Sequence, residues 1–158
     1  MNLNPKWEYV ADGVMGGVSR GFMHQEVFRG RLATVLRGDV SLENNGGFIQ
    51  IAFDICHDLK AFNVGDWDGI ELEICGNNEQ YDIRLRTDQL KRPWQSFRAD
   101  FVALPEWHRH RIAFDTLVAN KTDAIFDPVQ LRRIGILAVG RVFEVEVAIA
   151  SIRLYRFL

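Results

Sequence analysis

Residues 46–55 read GGFIQIAFDI. In an extended chain Ile49, Ile51, Phe53 and Ile55 point one way, and Phe48, Gln50, Ala52 and Asp54 the other. Alternation with period two marks a strand with one buried face. The pattern recurs along the chain. In DGIELEI, Ile70, Leu72 and Ile74 alternate with Glu71 and Glu73; in QYDIRLRT, Tyr81, Ile83 and Leu85 alternate with Asp82, Arg84 and Arg86. WQSFRADF sets Phe97 and Phe101 against Trp94, Ser96, Arg98 and Asp100. RHRIAFD carries Ile112 and Phe114, RRIGILAV is a nearly continuous apolar run, and FEVEVAIASIRLYRF places Phe143, Val145, Val147 and Ile149 on one side.

Turn residues separate these segments at Asn44-Asn45-Gly46-Gly47, Gly76-Asn77-Asn78, Pro105 and Asp127-Pro128. Many short strands with no sustained helical spacing predict an all-β fold, a β-sandwich of jelly-roll type, with a closed barrel as the alternative. The pattern is weakest from Thr116 to Leu131, where a loop with a helical turn is expected. No repeat, low-complexity tract or linker interrupts residues 1–158, so one domain is expected.

Composition narrows the function classes. Nineteen basic against 21 acidic side chains, well mixed, give a net charge of −2 and no basic field for nucleic acid. No apolar run is long enough for a transmembrane segment, and MNLNPKWEYV has none of the parts of a signal peptide, so a cytoplasmic location is expected. Cys56 and Cys75 each end an apolar segment and read as buried free thiols. A disulfide between them would need neighbouring strand ends, and without a CxxC no zinc site is expected.

A two-residue turn at Gly76-Asn77-Asn78 predicts a hairpin in which Leu72 faces Ile83 and Ile70 faces Leu85. The same register sets Glu71 opposite Arg84, and the outer surface would then be a lattice of Glu71, Glu73, Asp82, Arg84 and Arg86, to which the next strand adds Trp94 and Arg98. One reading is a solvated face of weak ion pairs. The other is a binding face for sugar or peptide, the tryptophan ring stacking while charged groups supply hydrogen bonds. Trp94 follows Pro93 near a strand end and equally fits a cap on the core edge.

The stretch DGVMGGVS, residues 12–19, has no lysine of a phosphate loop and no GxGxxG spacing, and no helix pattern follows it. Its glycines can form an anion nest or turn the chain from one sheet to the other, and the turn is the expected role. With a second glycine pair in SLENNGGF, residues 41–48, this loop and Asp12, Ser19, Ser41, Glu43 and Asn44 could meet at one end of a sandwich.

Together, WEYVADGVMGGVSRG and FRGRLATVLRGDVSLENNGGF resemble the N-terminal signature of the complex I intermediate-associated protein family. The similarity runs on through DWDGIELEICGNNEQYDIRLRTD, PWQSFRADF, RRIGILAV and FEVEVAIASIRLY. It implies a galactose-binding-like β-sandwich akin to carbohydrate-binding modules and, in mitochondrial members, a chaperone-like role in assembling NADH:ubiquinone oxidoreductase. The family motifs fall on Asp12, Gly13, Met15, Gly16, Gly17 and Ser19, on Glu43, Asn44, Gly46 and Gly47, and on Tyr81, Arg84, Arg86 and Thr87. One departure stands out: after Trp107 the chain reads AFDTLVANKTDAIFDP, without the family's phenylalanine-rich, proline-containing loop ending in Arg-Gly. A partner surface at that place, and the specific complex I role, therefore lose support. The chain is also little more than the bare domain, which fits a bacterial-type, stand-alone form.

Chemistry finds little footing. His108 and His110 would share a strand face, but Arg109 and Arg111 mark a solvated edge and no cysteine completes a ligand set. Asp12, Asp39 and Glu43 lack the spacing of a calcium loop. Glu71, Glu73 and Asp82 next to arginines would stay ionised, unlike a general acid. The expectation is a non-catalytic module with no cofactor or metal. It would bind through Asp12, Met15, Gly16, Gly17, Ser19, Glu43, Asn44 and Gly47 at the loop end, and through Glu71, Tyr81, Arg84, Arg86, Trp94 and Arg98 on the sheet. The expected partner is a protein, from respiratory complex I or another membrane-complex intermediate; carbohydrate on the polar sheet face is the alternative.

Overall fold

The alternating segments build two antiparallel sheets packed face to face. The computed structural model describes residues 1–157, and the side chains of Val14, Met15 and Asn45 lie outside the described residues. In chain order the strands are β1 (Glu8–Ala11), β2 (Arg20–Phe28), β3 (Arg31–Val40), β4 (Phe48–Asp54), β5 (Gly69–Gly76) and β6 (Gln80–Thr87). They continue as β7 (Ser96–Val102), β8 (His108–Ala113), β9 (Val118–Asn120), β10 (Leu131–Val139) and β11 (Phe143–Tyr155). One sheet has six strands in the order β1-β4-β10-β6-β7-β9; the other has five, β2-β3-β11-β5-β8. Each sheet keeps two open edges, so the fold is a sandwich and not a closed barrel.

The core lies where the sequence pattern puts it. Ile49, Ile51 and Phe53 of β4, Ile134 and Ile136 of β10, and Ile83 and Leu85 of β6 are sealed from solvent, as are Leu36, Ile70, Leu72, Val145 and Val147 of the other sheet. Each such side chain contributes about 1.5–3 kcal/mol on burial, which makes this layer the main source of stability. In β11 a register shift between Ile149 and Ser151 puts Ala150 out of step. Inward pointing then passes from Val145, Val147 and Ile149 to Ile152 and Leu154, so one long strand serves both halves of the core. The weakly patterned stretch holds β9 and a single 3-10 turn at Pro128–Gln130.

The hairpin expected at Gly76-Asn77-Asn78 does not form. β5 pairs with β11 and β8, whereas β6 pairs with β10 and β7, so the chain crosses here from one sheet to the other. Tyr81 pins the crossing: its buried hydroxyl donates to Asn77 Oδ1 at 2.7 Å and accepts from Glu146 N at 3.1 Å. Gly76 is required, since a Cβ there would sit 2.6 Å from the Ala103 Cβ. Leu72 and Ile83 are therefore not cross-strand partners, and Glu71 and Arg84 lie on opposite outer faces. Both strands are apolar inward whichever connection is made, so alternation by itself does not distinguish them.

Candidate functional site

The two glycine motifs meet as expected, and DGVMGGVS carries the chain from β1 in one sheet to β2 in the other. What they enclose is the chain's own carboxylate. Asp12 is fully buried. Its Oδ1 accepts from Ser19 N at 3.1 Å, and its Oδ2 accepts from Ser19 Oγ at 2.5 Å, Gly47 N at 2.6 Å and Phe48 N at 3.2 Å. Ser19 Oγ in turn accepts from Ser41 N at 2.8 Å. A Cβ at Gly17 or Gly46 would overlap the Asp12 carboxyl group, which explains both glycines. Burial pushes the Asp12 carboxyl up, but the four donors outweigh it and hold it below its ordinary value. The anion nest exists, and its occupant is internal. At the surface of this end stand Glu43, Asn44 and Gly16.

The predicted polar face divides into two. On the five-stranded sheet, Glu71 of β5 is registered between Arg111 of β8 and Arg153 of β11. Each arginine Nε donates to one carboxylate oxygen at 2.8 Å. Glu71 is buried, which raises its pKa, yet the two guanidinium groups hold it below the usual carboxylate range. Sequence reasoning assigned it to Arg84 and missed both true partners, although Arg111 and Arg153 occupy polar positions of their alternating segments.

Arg84 and Arg86 of β6 and Arg98 of β7 lie on the outer face of the six-stranded sheet, and Trp94 is on the loop between these two strands. Buried Asp82 accepts from Arg84 Nη2 at 3.0 Å and, in two parallel bonds, from Arg98 Nε at 2.9 Å and Nη2 at 2.8 Å. This bidentate pairing strengthens the hold of Arg98 on its proton. Arg86 meets no carboxylate. Its Nε donates to Gln95 O at 3.2 Å and its Nη2 to Arg92 O at 3.0 Å, while burial and the nearby Arg132 and Arg133 charges lower its pKa. Gln95 Oε1 accepts from Lys91 N and Arg92 N at 3.2 and 3.1 Å. These bonds brace the loop between β6 and β7, and Trp94 stands on it 57% exposed, with the Arg92 guanidinium 5.9 Å from its ring. Trp94 is thus not a cap on the core.

His110 lies beside Phe101 with ring centroids 5.8 Å apart, and burial lowers its pKa. Both cysteines are free, with Cys75 buried. Among the described residues no group of three or more His, Cys, Asp or Glu could hold a metal, and no helix is long and apolar enough to cross a membrane.

A sequence profile of complex I intermediate-associated protein 30 matches residues 2–147. The chain belongs to the complex I intermediate-associated protein 30 family. No curated protein matches it by sequence. Among solved structures, this family member is similar to a family 11 carbohydrate-binding module from Clostridium thermocellum in complex with a β-1,3-1,4-mixed-linked tetrasaccharide. The TM-score is 0.75 at 9% identity, covering 96% of this chain and 89% of that one. A family 30 module of a cellulosomal cellulase from the same organism gives a TM-score of 0.71 at 12% identity, covering 99% and 95%. At such identities the likeness shows the fold, a jelly-roll sandwich shared by this family and carbohydrate-binding modules.

Proposed function

We propose that this chain is a non-catalytic, chaperone-like assembly factor, acting in the cytoplasm on a protein partner from respiratory complex I or another membrane-complex intermediate. Membership of the complex I intermediate-associated family supports the class of partner. The observation that carries the reading is Trp94, held 57% exposed on a loop braced by Arg86 and Gln95, with the Arg92 guanidinium 5.9 Å from its ring. A rigid aromatic anchor among guanidinium groups is the composition of protein-interface hot spots. Glu43 and Asn44 offer polar groups at the opposite end of the sheet, where Asp12, Gly17, Ser19 and Gly47 set the loop shape and Tyr81 holds the crossing. The test is co-purification of the tagged chain with subunits of a membrane complex from its host. Trp94→Ala and Arg98→Ala should each weaken the identified contact by about thirtyfold; retention by Trp94→Ala overturns the reading.

Trp94 and the sandwich shared with the two carbohydrate-binding modules favour a second reading, oligosaccharide binding on the same face. Calorimetric titration with a β-1,3-1,4-linked tetrasaccharide separates them. A saturable heat that Trp94→Ala abolishes selects sugar, and no heat selects protein.

A further inference from the structure

Six strands face five across this sandwich, and β9 is the outermost strand of the larger sheet. Ala119 of β9 is registered opposite Phe97 and shares its core-facing side. Phe97 is buried at 1% exposure, yet Ala119 is exposed. That contrast is what an overhang produces, the inner face of one sheet running past the edge of the other. Beneath it lies a recess of about 470 Å³ lined by Trp67, Phe97, Phe114, Leu117, Ala119 and Phe126. Phe126 stands edge-on to Phe97 at 5.4 Å and tilted against Phe114 at 5.3 Å between centroids. Ile125 on the rim is 85% exposed. The wall is held in place, because Gln89 Nε2 donates to Ile125 O at 2.7 Å and Gln95 Nε2 to Lys121 O at 3.2 Å. A recess of this size and lining accepts an apolar group from a ligand.

Two properties of the surroundings select the ligand. Among the described residues no strand pairs with the outer edge of β9, which leaves a main-chain template for an extended segment. Asp115 lines the recess, and Asp66 and Asp123 each lie one residue along the chain from lining residues; none of the three is in an ion pair among the described residues. The Arg156 guanidinium already covers the Trp67 ring at 4.4 Å, so it is the exposed Asp115 carboxylate on the lining that complements a cation beside an apolar side chain.

The geometry points to a docking site for an extended protein segment carrying an apolar residue between basic ones. The segment adds to the free edge of β9, places the apolar side chain against Phe97, Phe114 and Phe126, and sets its lysines or arginines against Asp115 and its acidic neighbours. This surface is separate from the face that bears Trp94 and does not depend on that reading.

The test is an NMR titration of the isotope-labelled full chain with a short synthetic peptide alternating lysine and leucine, and with its glutamate–leucine counterpart. Saturable shifts should gather at the amides of Leu117–Asn120 and Ala124–Phe126, weaken as salt is added, and be absent with the glutamate peptide. Ala119→Trp, which fills the recess from an exposed position, should weaken binding by about tenfold or more. Asp115→Asn, on the surface and neutral for folding, should weaken it by about threefold, and Trp94→Ala should leave it unchanged. Shifts spread over the whole surface, equal binding of the glutamate peptide, or indifference to both recess variants overturns the proposal. So does self-association through these amides without peptide, which would assign the recess to a second copy of the chain.

Discussion

The two outer faces of the sandwich share one device and differ in what stands next to it. On the five-stranded sheet Glu71 is clamped between Arg111 and Arg153; on the six-stranded sheet Asp82 is clamped between Arg84 and Arg98. Both carboxylates are buried and both pairs of arginines reach the surface. The tryptophans differ. Trp107 packs edge-on to Phe28 at 6.2 Å, donates its indole N–H to the Phe28 and Arg29 carbonyls, and lies under the Arg31 guanidinium at 5.0 Å. It closes a small second core of Phe28, Ala33, Val35, Cys75 and Ala148 on that outer face. Trp94 has no such cover. An ion pair between strands therefore marks register, and an aromatic side chain held out on a braced loop contributes little to the core.

Substitutions that separate the two faces should rank accordingly. The largest effect is expected at Glu71→Ala, which leaves two arginines without their shared carboxylate. The arginines are 47% and 40% exposed, so water offsets part of the loss and about 3 kcal/mol of stability should disappear in a denaturant titration. The same group predicts an acid limb. Glu71 and Asp12 have lowered pKa values in the folded chain, so the unfolded chain binds more protons and stability rises with pH. Their contribution is complete above about pH 5, beyond the unfolded carboxylate values, and is lost as pH falls through the depressed folded values. Glu71→Gln should flatten that limb in acid-unfolding curves, and an unaltered limb would remove Glu71 from the account.

Trp107→Ala comes next, at about 2 kcal/mol, because it opens the small outer core while touching nothing on the other face. Trp94→Ala should change stability by less than about 0.5 kcal/mol, since exposed positions rarely do more. Equal destabilisation by the two tryptophan variants would erase the distinction between a structural and a displayed ring.

Much of the candidate face was legible before folding. Arg84, Arg86 and Arg98 alternate with core residues in their own segments, and Arg84 and Arg98 are cross-strand neighbours. Two features were not legible. Glu71 went to the wrong partner because a crossover and a hairpin present the same apolar side inward. The Asp12 centre escaped because local sequence does not show that the amides of Gly47 and Phe48, 35 and 36 residues away, turn inward onto its carboxylate. A carboxylate beside glycines in both motifs was the available signal, since amides that approach an anion closely leave no room for a Cβ.

Period-two alternation and turn residues by themselves determined that the chain makes strands, which side of each is buried, and where most of them end. The positions of the two glycine loops were also written in the residues. Only the tertiary structure decided which strands are neighbours, which arginine meets which carboxylate, and that a sixth strand overhangs a five-stranded partner. The physical reason is that side-chain direction is a property of the local backbone, whereas pairing is chosen by the packing of two whole sheets.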